Sequence, residues 1–189
     1  MLLYTVPWPA QSLYTKKRVQ SLADLQGSKM RAYSPSTSRL ADLMNTTPTT
    51  VQLPDIPQAF STGIIDAMIT SPSTGANGQA WDYLSHFTEV KAWIPKNFVV
   101  VNKRAFKRLD KDTQKSILTA AEKAETSAWN LVVEREARDT AILADNGIKV
   151  TQPSEKLLSE LKEIGVTMTK EWEQEAPSEV KTVLDRYNQ

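Results

Sequence analysis

Apolar runs along this chain are short, and several are too brief for anything but strands. Leu2-Leu3-Tyr4-Thr5-Val6 stops at Pro7, and Pro7-Trp8-Pro9 continues as extended chain. Ile64 to Ile69 is a mostly apolar run suited to a buried parallel strand, and Phe98 to Asn102 is β-branched and strand-forming. Shorter strands are expected at Ser28–Tyr33, at 51–53 and at 148–150. Between them the pattern turns helical. Ser21 with Asp24 three residues on is a helix start that Gly27 ends. Helices follow over 37–45 and over 56–62, the latter with Pro57 in its first turn and Gly63 as its stop. From Asp110 to Ala144 an apolar stripe recurs at spacings of three and four: Ile117, Ala121, Ala124, Ala128, Leu131 and then Ile142, interrupted at Arg135 and Arg138. A helix of that length spans about 50 Å at about 1.5 Å per residue, longer than one lobe of such a protein, so it is expected to cross between two lobes. Amphipathic helices over 153–174 and 178–187 close the chain. Alternating strands and helices predict an α/β fold.

Composition narrows the function classes. The 189 residues are 40% hydrophobic and 24% charged, with a formal net charge of +1. Basic clusters at Lys16-Lys17-Arg18 and Lys103–Arg108 are balanced locally by acids, which argues against nucleic acid. Without cysteine there is no disulfide, thiolate metal site or thiol nucleophile. The first residues lack a basic leader and are too short for a signal segment or a membrane span, so Leu2–Val6 is expected to be a strand within a larger fold.

The most telling chemistry lies at 29–39. An arginine in the middle of a strand that enters the body of a domain needs an acceptor, and the planar fork of Arg31 matches a carboxylate. A helix opening near Ser36 or Ser38 would turn its positive end toward the same anion. Two readings stand at this point: a site for a small carboxylated molecule, or an internal pair with Asp55 or Asp66. A second stretch, Ser71-Pro72-Ser73-Thr74-Gly75, follows a buried strand at the end where open α/β sheets place ligands, and also fits an ordinary polar turn. The lone histidine, His86, has no acid–base partner at useful spacing, and no nucleophile elbow, phosphate loop or zinc-ligand pair is present. Catalysis is therefore disfavoured, and no cofactor is expected.

Taken together, Leu13-Tyr14-Thr15-Lys16-Lys17, Asp24 through Tyr33, Ala59-Phe60-Ser61-Thr62-Gly63-Ile64-Ile65-Asp66 and Trp93-Ile94-Pro95-Lys96-Asn97 with Val101-Asn102-Lys103 resemble the DctP-like solute-binding proteins of TRAP transporters. The resemblance covers essentially the whole chain but only the later part of a family member. It implies a truncated, periplasmic-binding-protein-like two-lobed fold with a long helix spanning the lobes. Residues 9–97 would form the second-lobe ligand-binding region, 98–144 a remnant of the first lobe with the connecting helix, and 145–189 the second-lobe strand and final helices. It also implies a periplasmic, non-enzymatic protein that passes an organic acid to TRAP membrane subunits, with Arg31 at the family's carboxylate-binding position. Tyr33, on the same side of the strand, would add a hydroxyl or a ring face. Ser71, Ser73 and Thr74 would donate to other ligand oxygens, Trp93 would cover its apolar part, and Asn97 is a further candidate. Trp8 and Trp81 are expected to pack, and Trp129 and Trp172 to lie in the core. Two departures leave the acid unspecified: Asp66-Ala67 where many members carry Asp-Gly, and Gly63 where some sialic-acid binders carry asparagine. Truncation adds an alternative, a binding-deficient remnant. It would also strip the strand at 98–102 of its neighbours, leaving it disordered or self-paired in an oligomer.

Overall fold

In chain order the computed structural model places β1 (Leu2–Pro7), β2 (Ser12–Thr15), β3 (Lys29–Ala32), α1 (Pro35–Leu43), β4 (Thr47–Thr50) and α2 (Ile56–Ser61). These are followed by β5 (Ala67–Thr70), α3 (Pro72–Asn77), β6 (His86–Thr88), β7 (Lys96–Val100), α4 (Lys103–Lys107), α5 (Lys111–Asp145), β8 (Lys149–Thr151) and α6 (Glu155–Glu175). The structure describes residues 1–177, 180, 181 and 186, and the helix expected over 178–187 falls largely outside them. The chain divides into two compact units, one made of Met1–Lys17 with Met68–Gln152, the other of Arg18–Ala67 with Pro153–Gln189.

In the first unit β2 runs antiparallel to β6, with Tyr14 opposite Phe87, and β8 lies parallel to β6 on its far side. Tyr14 and Phe87 are fully buried, their ring centroids 4.5 Å apart. β1 and β7 form a separate antiparallel ribbon from Leu2 opposite Val100 to Pro7 opposite Lys96. This corrects the expectation for 98–102: the strand is shifted to Lys96–Val100, and β1 supplies the neighbour it was expected to lack. Asn102 instead caps α4, its Oδ1 accepting from Arg104 N at 2.9 Å and Ala105 N at 3.1 Å. Phe98 and Val100 remain 65% and 66% exposed. The 35-residue α5 lies in this unit and starts at Asp110, whose side chain accepts from Thr113 N. It holds the ribbon through Glu125, which accepts from Thr5 N and Oγ1, and holds Ala10 through Glu136.

The second unit is built on β3, parallel to β4 in the register Lys29–Thr47 to Ala32–Thr50. That pairing sets the frame of β4, four residues earlier than the strand expected at 51–53, and Pro48 is accommodated within it. Residues 53–55 instead form a single tight turn. The apolar run from Ile64 also begins too early for a strand. Gly63 takes φ +71°, and the amides of Ile64 and Ile65 both return to Ala59 O, closing α2. Ile65 reaches the core and Ile64 stays in solvent, so β5 starts only at Ala67. The helix after β3 opens at Ser34 rather than Ser36 or Ser38. Ser34 is extended, Pro35 presets the first helical φ, and the Ser34 hydroxyl accepts from Thr37 N. Met30, Ala32, Ala41, Met44, Phe60 and Leu157 form the buried centre of this unit.

Candidate functional site

β3 carries Arg31 into the second unit, where the residue is 7% exposed. Its Nε donates to Val51 O at 2.9 Å, and its guanidinium carbon lies 4.9 Å from the centre of the Tyr33 ring. Val51 N donates in turn to Ala32 O, so both polar backbone groups of Val51 face β3 or its arginine. Thr37 at the head of α1 accepts from Tyr33 N and Ser34 N, each at 2.9 Å, and donates to Ser34 O. Asp66, weighed as a partner for Arg31, accepts from Lys29 N at 3.1 Å. The start of α1 offers an anion less than an open helix end would, because Pro35 has no N–H and Thr37 N is already capped. A groove of about 510 Å³ in the same unit, walled by Leu22, Leu43, Ile164, Glu160 and Glu163 among others, does not include Arg31.

The Ser/Thr stretch lies in the first unit and forms a cap and a short helix. Ser71 Oγ accepts from Thr74 N at 3.1 Å and contacts Thr74 Oγ1 at 3.1 Å. Ser73 Oγ donates to Asp139 Oδ2 on α5. Asp139 is 3% exposed and also accepts from Arg138 Nε and Nη2 at 3.1 and 3.0 Å, with Arg135 Nε at 3.4 Å. Burial opposes its ionised form. The Ser73 hydroxyl and the two guanidinia outweigh burial and hold its pKa below the ordinary carboxylate value. Tyr14 OH donates to Ser71 O at 3.1 Å, and burial first, then Tyr83 and Asp139, push its phenol well above the ordinary value. A β-carbon at Gly75 would sit 2.1 Å from Tyr14 Oη, so glycine is required inside this helix by the tyrosine beside it.

Arg31 and Tyr33 are therefore brought together, while Ser73 meets Asp139 and Ser71 and Thr74 pair in the cap of α3. Trp93 and Asn97 join neither: Trp93 is half-buried on the approach to β7, its carbonyl accepting from Gln11 N at 2.9 Å, and Asn97 is exposed on β7 opposite Val6. Trp129 and Trp172, expected in the core, are 45% and 46% exposed. Trp129 instead donates from Nε1 to Thr5 Oγ1 at 3.3 Å, with Lys96 Nζ 5.9 Å from its ring centre. His86 Nδ1 meets Ser85 Oγ at 2.9 Å, and Ser85 donates its only hydroxyl proton to Lys16 O at 2.7 Å. The ring must then donate to the serine, the reverse of a nucleophile–base pair. Among the described residues no cluster could hold a metal ion, and no helix is long and apolar enough to cross a membrane. Sequence reasoning missed Val51, whose role is a carbonyl that no side chain announces, and Asp139. The latter did leave a signal, an Arg135–Asp139 pair at i, i+4.

The model of the DctP family, described as bacterial extracellular solute-binding protein, family 7, matches residues 10–175. Among solved structures, this chain is 47% identical to DctP7 of Bordetella pertussis, an extracytoplasmic solute receptor binding pyroglutamic acid, with a TM-score of 0.97. It is 38% identical, with a TM-score of 0.96, to DctP6 of the same organism, also a receptor binding pyroglutamic acid. A marine metagenome TRAP solute-binding protein specific for pyroglutamate is 34% identical, with a TM-score of 0.94. Each match covers 100% of this chain but only 62–63% of the longer protein.

Proposed function

Because the chain belongs to the DctP family of bacterial extracellular solute-binding proteins, we propose that it is the later portion of a periplasmic TRAP receptor for a small organic acid, pyroglutamate being the acid to test first. It binds this acid unchanged and delivers it to TRAP membrane subunits. The ligand's carboxylate is gripped by Arg31, with Tyr33 beside it. Ser73 serves the fold through Asp139, and Ser71 and Thr74 through the α3 cap.

The observation that carries this reading is the buried, oriented guanidinium of Arg31, on a chain whose relatives at 34–47% identity bind pyroglutamate. A planar fork gives a single carboxylate two parallel charge-assisted bonds, and these gain strength where water is excluded. Titration calorimetry of the 189-residue protein with L-pyroglutamate is expected to give saturable binding at one site. Arg31→Gln keeps much of the volume but removes the cation, and should weaken binding by about 2–5 kcal/mol, roughly 30-fold or more. No binding by the parent protein, or equal binding by Arg31→Gln, overturns the assignment. Ligand recovered intact after long incubation separates a receptor from an enzyme.

A further inference from the structure

We infer that Tyr33 is a positioning residue for Arg31, acting through its ring face and not its hydroxyl; this rests on reading Arg31 as the carboxylate anchor. An arginine side chain has several rotatable bonds, and freezing them on binding opposes affinity. Two contacts at Arg31 fix the plane of its head before any ligand arrives. The Nε–H donates to Val51 O at 2.9 Å, and Cζ lies over the Tyr33 ring, 4.9 Å from the ring centre and inside the range of cation–π attraction.

Both supports are themselves held. Val51 is fastened to β3 through its own amide, so the acceptor cannot drift away from the strand that bears Arg31. Tyr33 lies two residues along from Arg31, in the bend just past the end of β3, and its ring comes under the guanidinium there. Its amide donates to Thr37 Oγ1, the hydroxyl that also completes the capping box of α1. The start of α1 thus fixes the tyrosine, and the tyrosine fixes the fork.

The test uses ¹⁵N-arginine-labelled protein, with the Arg31 Nε–H signal assigned by its loss in Arg31→Lys, and calorimetry with L-pyroglutamate. Tyr33→Phe keeps the ring: the Nε–H signal should stay in place and Kd should change by less than about twofold. Tyr33→Leu removes it: the signal should shift and exchange faster with water, and Kd should rise about 5- to 30-fold. Loss of affinity in Tyr33→Phe equal to that in Tyr33→Leu overturns the inference, because the hydroxyl would then be acting. An Nε–H signal unmoved in Tyr33→Leu also overturns it. If the parent binds no pyroglutamate, the proposed function fails while the ligand-free signal still decides the positioning role: a shift in Leu but not in Phe upholds it.

Discussion

Each unit of this protein buries a charged side chain on a regular element, and the two are held by different kinds of contact. In one, Asp139 on α5 is met by a serine hydroxyl and two guanidinia, so its charge is neutralised where it stands. In the other, Arg31 on β3 donates to the Val51 carbonyl oxygen and lies over the Tyr33 ring, two contacts that orient a cation. The first arrangement is complete in itself and joins α3 to α5. The second, in the function proposed above, holds a guanidinium in place for a ligand.

The sharpest way to break this comparison is to remove the carboxylate. Asp139→Ala leaves Ser73 buried without its acceptor and two arginines without their anion. A buried pair broken on one side costs about 3–5 kcal/mol, but Arg135 and Arg138 are more than half exposed and rehydrate easily, so about 2–3 kcal/mol is expected. In a chain of this size that is a fall in Tm of about 5–10 °C. An unchanged Tm would mean that Asp139 does not hold the unit together.

Acid sharpens the same contrast. The folded-state pKa of Asp139 lies below its unfolded value, so the stability it contributes is present above about pH 4 and is lost as pH falls through the folded pKa. Asp139→Asn keeps an acceptor for Ser73 but cannot ionise. The difference in Tm between the parent and Asp139→Asn should therefore shrink on going from pH 7 to pH 3. A difference constant across that range would show that charge is not what Asp139 contributes.

The sequence made one of these two groups plain and obscured the other, for physical reasons. Arg31 stands out because a cation amid Met30 and Ala32 breaks an apolar strand. Asp139 does not, because on a helix rich in Arg, Glu and Asp a buried carboxylate looks like one more solvated charge, and its neighbours Arg135 and Arg138 registered only as gaps in a stripe. Long or β-branched elements were legible: α5 begins and ends within one residue of expectation, and the strand after Trp93 is present two residues early. Frames were harder. β4 depends on its register with β3, a long-range fact, and β5 depends on the turn at Gly63, which diverts Ile64 and Ile65 from the strand. Ser71-Pro72 carried a helix-start signal, but a six-residue helix with glycine inside it looks like a turn until Tyr14 explains the glycine.

The smallest effect is expected where the geometry looks strongest. Arg39 grips Glu171 of α6 with the kind of fork proposed for Arg31 and its ligand: Nε to Oε2 at 3.0 Å and Nη2 to Oε1 at 2.5 Å. The two side chains are 47% and 42% exposed, so water and salt screen the pair, and ordering two long side chains offsets much of what remains. Arg39→Ala should leave Tm within about 1 °C at about 0.15 M salt and L-pyroglutamate affinity within about twofold. The two arginines then differ by environment rather than by chemistry: the same fork is weak at the surface and strong where its plane is fixed and water is excluded. A loss of affinity in Arg39→Ala matching that in Arg31→Gln would erase that distinction, and calorimetry on the two variants side by side measures it directly.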